Sequence, residues 1–224
     1  MNYPMVKRLI LKDWYFQRWA ILAYSLTGFL ALGLTAMGTD ASSYAGSILL
    51  ITVMIAIGFQ LVMVTVVQER SEQTLPFIMS LPISPMEYTT AKIGANLLIF
   101  MLPWLTLTSG TLLLLGTEGA RSGALIPFSL IILTELLAAY LLVLTVAVVS
   151  ESQGWTIFVL VLTNLFFQGF LYWVSHMPSI AEGMKGRGAV WNQTAVTLLS
   201  VEVGVSILLI AMAFVLQARK RNFL

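Results

Sequence analysis

The sequence predicts an all-α integral membrane protein with six transmembrane helices, and three observations lead there. Apolar residues make up 58% of the 224 and charged residues only 10%, against roughly 25% charge in an average soluble domain. The charges also leave long gaps. Uncharged runs of 21, 28 and 25 residues separate Arg18 from Asp40, Asp40 from Glu69, and Lys92 from Glu118. Residues 122–150, 152–181 and 188–218 hold only Glu135 and Glu202 between them. About 20 apolar residues carry a helix across a hydrocarbon core of ~30 Å, because each residue rises ~1.5 Å. Finally, segments such as Ile48-Leu49-Leu50-Ile51-Thr52-Val53-Met54-Ile55 are apolar on every side. A barrel strand would alternate, so helices are the spanning elements.

The chain opens with residues 1–18, in which Lys7, Arg8, Lys12 and Arg18 fall within an arc of about 140° at 100° per residue. Met5, Val6, Leu9, Ile10, Trp14 and Phe16 fill the rest, interrupted by Asp13 and Gln17. That pattern predicts an amphipathic helix lying in the membrane interface. It does not match a signal peptide, whose apolar core is shorter than the run that follows. Spans are expected at 19–38, 46–67, 91–115, 125–149, 155–175 and 194–217, within a single domain covering 1–224.

Charge asymmetry orients these spans. One side would hold Lys7, Arg8, Lys12, Arg18, Arg70, Lys92, Arg219, Lys220 and Arg221; the other would hold Arg121, Lys185 and Arg187. Cytoplasmic loops retain Lys and Arg, so both termini are expected in the cytoplasm, with Trp14, Trp19 and Trp155 at the inner interface and Trp173 and Trp191 at the outer one.

The second span is expected to continue past Gln68 until Pro76 bends or ends it. The loop at 68–92 is the most informative. Ser84 and Glu87 form a capping box, in which each side chain accepts a hydrogen bond from the other residue's amide. Pro85 stands at the first helical position, where its missing donor costs nothing. Leu81-Pro82 enforces an extended step before it. The resulting elbow offers Phe77, Ile78, Met79 and Leu81 between charged flanks, either as a docking surface or as headgroup contacts.

Within the third span, Pro103 beside Trp104 predicts a kink. Glu135 lies ~15 Å and Glu202 ~12 Å from the outer ends of spans four and six, counted at the helical rise. A carboxylate in lipid costs about 2.5–3.5 kcal/mol by insertion scales, so both should face protein or water. They either form a substrate-contacting or proton-sensitive pair, or serve as neutral structural acids. Asn164, Gln168 and Tyr172 recur every four residues and share one face of span five, as a pathway wall or an interhelical hydrogen-bond seam. Gln60 in span two is a further candidate of that kind. The outer segment 176–193 carries a second capping-box pattern, Ser179-Ile180-Ala181-Glu182, ahead of Gly183, Gly186 and Gly188. It predicts a short helix and a turn.

Several functions are disfavoured. No basic stripe suits nucleic acid, and there are no cysteines for disulfides or thiolate metal sites. His176 is the sole histidine, poor material for a metal or haem site. No Ser/His/Asp grouping or paired-carboxylate geometry indicates catalysis.

The run Glu69…Thr74…Leu81-Pro82-Ile83-Ser84…Glu87…Ala91-Lys92 resembles the first cytoplasmic loop of type 2 ATP-binding cassette export permeases. So does the outline of an amphipathic N-terminal helix, six spans, internal termini and a short outer helix between spans five and six. Family members often have glycine between the glutamate and threonine, where this chain has Glu72-Gln73. The resemblance implies the permease half of an ATP-driven exporter. Its coupling helix would lie in this loop, with Glu69, Thr74, Phe77, Leu81, Pro82 and Glu87 facing the ATPase. Gln60, Glu135, Asn164, Gln168, Tyr172 and Glu202 would line the pathway, span five lying at the dimer contact. No Gly-x-x-x-x-Gly-Lys-Ser/Thr phosphate loop occurs, so ATP and Mg are expected on a separate ATPase chain and no cofactor on this one. The implied partners are that ATPase, a second permease copy and membrane lipids. The alternatives are a haem- or cytochrome-maturation type permease and a non-transporting membrane scaffold or sensor.

Overall fold

The structure, a computed structural model, describes residues 3–69, 84–117, 123–150, 152–186 and 188–219. They form seven α-helices and one π-helical segment: α1 (Tyr3–Ala36), α2 (Asp40–Val62), the π segment (Met63–Gln68), α3 (Pro85–Thr117), α4 (Ile126–Ser150), α5 (Gln153–His176), α6 (Pro178–Met184) and α7 (Gln193–Arg219). No strand occurs among the described residues. Six helices, all but α6, are long and apolar enough to cross a membrane. The chain is a polytopic helical membrane protein.

One sequence expectation fails at the start. Residues 3–18 do not form a separate helix, because α1 runs unbroken from Tyr3 to Ala36. The reason lies in its buried face. Val6, Leu9, Asp13, Gln17, Ile21, Gly28 and Ala31 recur at three-, four- and seven-residue intervals, making one continuous stripe from the lead into the span. No proline interrupts the helix between Val6 and Ala36. Gly38, at φ 71°, then reverses the chain, and the Thr39 side chain accepts from the Ser42 amide to start α2.

α4 is the central helix. It packs on α2, α3, α5 and α7, and it is mostly buried, whereas α5 is mostly exposed. The main core cluster joins Ile57 and Leu61 of α2, Ile99 and Phe100 of α3, Tyr140 and Leu144 of α4, and Leu209 of α7. A second cluster joins Ala31, Met54, Leu107, Leu136 and Phe167. Two glycines permit the closest approaches. A Cβ on Gly46 would lie 2.6 Å from the Ala31 carbonyl oxygen, and one on Gly58 would lie 2.9 Å from the Tyr140 ring. Helices in lipid associate through such packing and through hydrogen bonds between them. Trp104 Nε1 donates to the Leu133 carbonyl at 2.8 Å, and Thr145 Oγ1 donates to the Leu209 carbonyl at 3.2 Å.

Outward faces are apolar: Leu22, Leu26 and Phe29 on α1, Leu162, Leu165 and Phe166 on α5, and Ile207 and Leu208 on α7. Trp14, Trp19, Trp155, Trp173 and Trp191 are all exposed, as interfacial tryptophans are.

The Ser84–Glu87 capping box forms as expected. The Ser84 amide donates to Glu87 Oε2 at 2.8 Å, and the Glu87 amide donates to Ser84 Oγ at 3.3 Å. The second box does not form. α6 starts at Pro178, so Met177 becomes the cap and Ser179 falls inside the helix. A proline suits the first helical position better than the interior of a cap, and it displaced the start by two residues. Asn192 instead organises this segment. Its Nδ2 donates to the Ser179 carbonyl at 2.6 Å, while its Oδ1 accepts from the Ala195 amide at 2.8 Å.

Candidate functional site

The sequence-distant ends of α1, the π segment and α3 meet in a cluster of four opposite charges. Lys92 Nζ donates to Asp13 Oδ2 at 2.8 Å and lies 2.7 Å from Glu69 Oε2. Lys12 pairs with the same Glu69 and lies 3.4 Å from Asp13 Oδ1. Tyr88 Oη donates to Glu69 Oε2 at 3.3 Å. Lys92 and Asp13 are 2% and 4% exposed, so neither charge could be held there without the other. Burial alone would raise the Glu69 pKa. The adjacent Lys92 charge, with hydrogen bonds from both lysines, outweighs burial and holds the carboxyl below its ordinary value of 4.5.

α3 carries this polar column into the membrane. Tyr88, Lys92, Asn96 and Phe100 are spaced four apart and share one face. Asn96 Nδ2 donates to Thr65 Oγ1 at 2.8 Å and to the Lys92 carbonyl at 3.0 Å. Tyr140 Oη of α4 donates to the Asn96 carbonyl at 3.1 Å, and its ring stacks on Phe100 at 3.8 Å between centroids. Thr65, on the π segment, donates in turn to the Leu61 carbonyl at 2.7 Å. Sequence reasoning missed Asp13, Thr65, Asn96 and Tyr140. The available signal was four polar residues interrupting otherwise apolar helical faces.

Glu135 of α4 and Glu202 of α7 each lie nine positions past the first residue of their helices, a rise of ~13 Å. The two helices pack against each other. Glu202 is 5% exposed, and neither of its carboxyl oxygens has a hydrogen-bond partner among the described residues. Two like acids at one depth can take up a proton or a cationic group, and are poorly matched to anything else.

The span-five stripe divides. Asn164 is half-buried and lines a cleft of about 410 Å³, open mouth included, together with Gly58, Phe59, Leu136, Tyr140 and Phe167. Its Nδ2 donates to the Leu160 carbonyl at 2.9 Å. Gln168 and Tyr172 lie on the outer, exposed side of α5, and Gln60 is half-buried on α2. The structure therefore sets Glu135 and Glu202 on neighbouring packed helices, while Asn164 faces the cleft and Gln168 and Tyr172 face outward. His176 is exposed; its Nδ1 sits 2.8 Å from the Tyr172 carbonyl and 3.1 Å from Ser175 Oγ.

Of the coupling candidates, Glu69 turns inward into the charge cluster and Glu87 closes the α3 cap. Thr74, Phe77, Leu81 and Pro82 lie outside the described residues. No group of three or more metal-ligating side chains occurs among the described residues.

No family model, curated protein or solved structure matches this chain. The class that fold and site define is a six-span helical membrane protein with a buried charge cluster at one end and an acidic pair within its helices.

Proposed function

We propose that this chain is the membrane-spanning permease subunit of an ATP-driven exporter, with its ATPase on a separate chain. The observation that carries the reading is the framing of segment 70–83. Glu69 immediately before it and Lys92 shortly after it meet in one ion cluster, and the Ser84–Glu87 box fixes the start of α3. A segment anchored at both ends can transmit a displacement to the spans. The motif residues from Glu69 to Lys92 that resemble type 2 ATP-binding cassette permeases occupy this same stretch.

In this reading both termini and segment 70–83 face the cytoplasm of a plasma or inner membrane, and the start of α1 lies at headgroup depth. The ATPase binds ATP and Mg and seats on Phe77, Leu81 and Pro82, with Thr74 completing the elbow. Glu69 and Glu87 position that elbow. A second permease copy packs on the exposed α5 face bearing Gln168 and Tyr172. Glu135, Glu202, Asn164 and Gln60 belong to the pathway for a hydrophobic or amphipathic substrate.

The test is co-expression with a cassette ATPase encoded in an adjacent reading frame, followed by purification and an ATPase assay. The expected result is a complex whose ATPase activity depends on the permease, and loss of that dependence in Leu81→Ala/Glu87→Gln with the complex retained. Failure of any such ATPase to co-purify, or full activity in the double variant, would overturn the proposal.

A further inference from the structure

The N-terminal half of α1 has two faces of opposite character. Its inward face holds Val6, Leu9, Asp13 and Gln17. Its outward face exposes Lys7, Arg8, Leu11, Trp14, Tyr15, Arg18 and Trp19. The one acid between Tyr3 and Trp19 is Asp13, and it is turned inward onto Lys92. The outward face therefore carries cations with no acid among them. Lys12 is not part of this surface, since it pairs with Glu69. Lys7, Leu11 and Arg18, spaced i, i+4 and i+11, fall along one line of the helix.

Aromatic rings hold the cation nearest the apolar span. The Arg18 guanidinium lies 4.0 Å from the Tyr15 ring centroid and 5.5 Å from that of Trp19. Such rings sit at headgroup depth, and an arginine stacked on them keeps its donors free for phosphate oxygens. Length agrees. The 34 residues of α1 span ~51 Å, about 20 Å more than the hydrocarbon core. Residues 19–36 carry no charge, so the excess falls at the basic end.

We propose that this outward face of α1, with Lys7, Arg8 and Arg18 set among Trp14, Tyr15 and Trp19, binds the headgroups of anionic phospholipids. The proposal sharpens the lipid contact named above, yet it requires only that the helices span a membrane, not that the chain be a permease. Zwitterionic headgroups bring no net charge to three cations that share their face with no acid, whereas an anionic leaflet attracts each of them within a Debye length of about 10 Å.

The test reconstitutes the full chain in phosphatidylcholine bilayers containing trace spin-labelled phosphatidylglycerol or spin-labelled phosphatidylcholine. Electron paramagnetic resonance then measures the fraction of each lipid restrained by the protein. The wild type is expected to favour phosphatidylglycerol about threefold at low salt, with the ratio falling toward one as salt rises. Lys7→Gln/Arg8→Gln/Arg18→Gln should bring the ratio close to one, whereas Lys185→Gln, at an exposed lysine between α6 and α7, should leave it unchanged. A wild-type ratio of one overturns the proposal. So does a triple variant that keeps the wild-type ratio, which would place the anionic preference on other basic residues or leave this face to a protein partner. If the triple variant fails to insert, Lys7→Gln/Arg8→Gln and Arg18→Gln are measured separately; each must lower the ratio, and no change in either refutes it.

Discussion

Replacing Lys92 with methionine should be among the most damaging single changes in this protein. Two lysines and two carboxylates balance to zero in the cluster, and Lys92 touches both acids, at 2.8 Å and 2.7 Å. Each contact is worth about 6 kcal/mol of gross attraction at an effective dielectric of about 20. Desolvation offsets much of that, so the net cost of removing one partner of a buried pair is about 3–5 kcal/mol. Lys92→Met leaves Lys12 alone against Asp13 and Glu69, with Asp13 4% exposed. For a chain of this size that loss lowers Tm on the order of 10 °C. The assay is thermal denaturation of detergent-purified protein, read by the fluorescence of the surviving monodisperse peak. Asp13→Leu/Lys92→Met supplies the check, because it removes one charge of each sign and leaves Lys12 paired with Glu69. The double variant should recover most of the loss, since a buried pair replaced by apolar residues is often neutral. The reasoning is refuted if Lys92→Met melts within ~3 °C of wild type, about 1 kcal/mol, or if the double variant is as unstable as the two single losses summed.

Three further outcomes are expected. Glu202→Leu should raise Tm, because it replaces a carboxyl whose two oxygens lack partners among the described residues with an apolar side chain of similar size; a fall in Tm would show that the carboxyl is structurally required. Tyr140→Phe keeps the stack on Phe100 but removes the donor to the Asn96 carbonyl, and should cost about 0.5–1.5 kcal/mol in the same assay. Because the folded state holds Glu69 below its ordinary value of 4.5, its contribution is complete above that value and is lost as pH falls through the depressed folded value. Tm should accordingly hold between pH 7 and about 5 and drop in stronger acid, and Glu69→Gln should begin lower and show a smaller acid drop.

The spans were legible because lipid allows so little else. Charge gaps alone located six helices; the structure extends the first and the third past their uncharged runs at the start, while the fourth and fifth lie within theirs. The Ser84–Glu87 cap was equally readable, since its two partners are three residues apart. What sequence could not supply was the pairing of distant residues. Asp13 read as an interruption in an amphipathic face, and only the fold brings it to Lys92, 79 positions away. That contact also explains why α1 is unbroken, because the buried stripe needs Asp13 and Gln17 on the same line as Ile21 and Ala31. Ser179 misled for a local reason: the preceding proline took the first helical position. The stripe Asn164, Gln168 and Tyr172 does share a side of α5. Periodicity says which residues align but not which neighbour they face, and only Asn164 turns toward the cleft.

The sharpest measurement of the whole account is sidedness. The chain contains no cysteine, so Ser80→Cys, Lys185→Cys and Asn222→Cys can be made singly and labelled with a membrane-impermeant maleimide in intact cells and in inverted vesicles. With six crossings and the 70–83 segment facing an ATPase, the thiols introduced at positions 80 and 222 label only from the cytoplasmic side, and the one at position 185 labels only from the opposite side. Labelling of positions 80 and 222 from opposite sides, or of 185 together with 222, would contradict it.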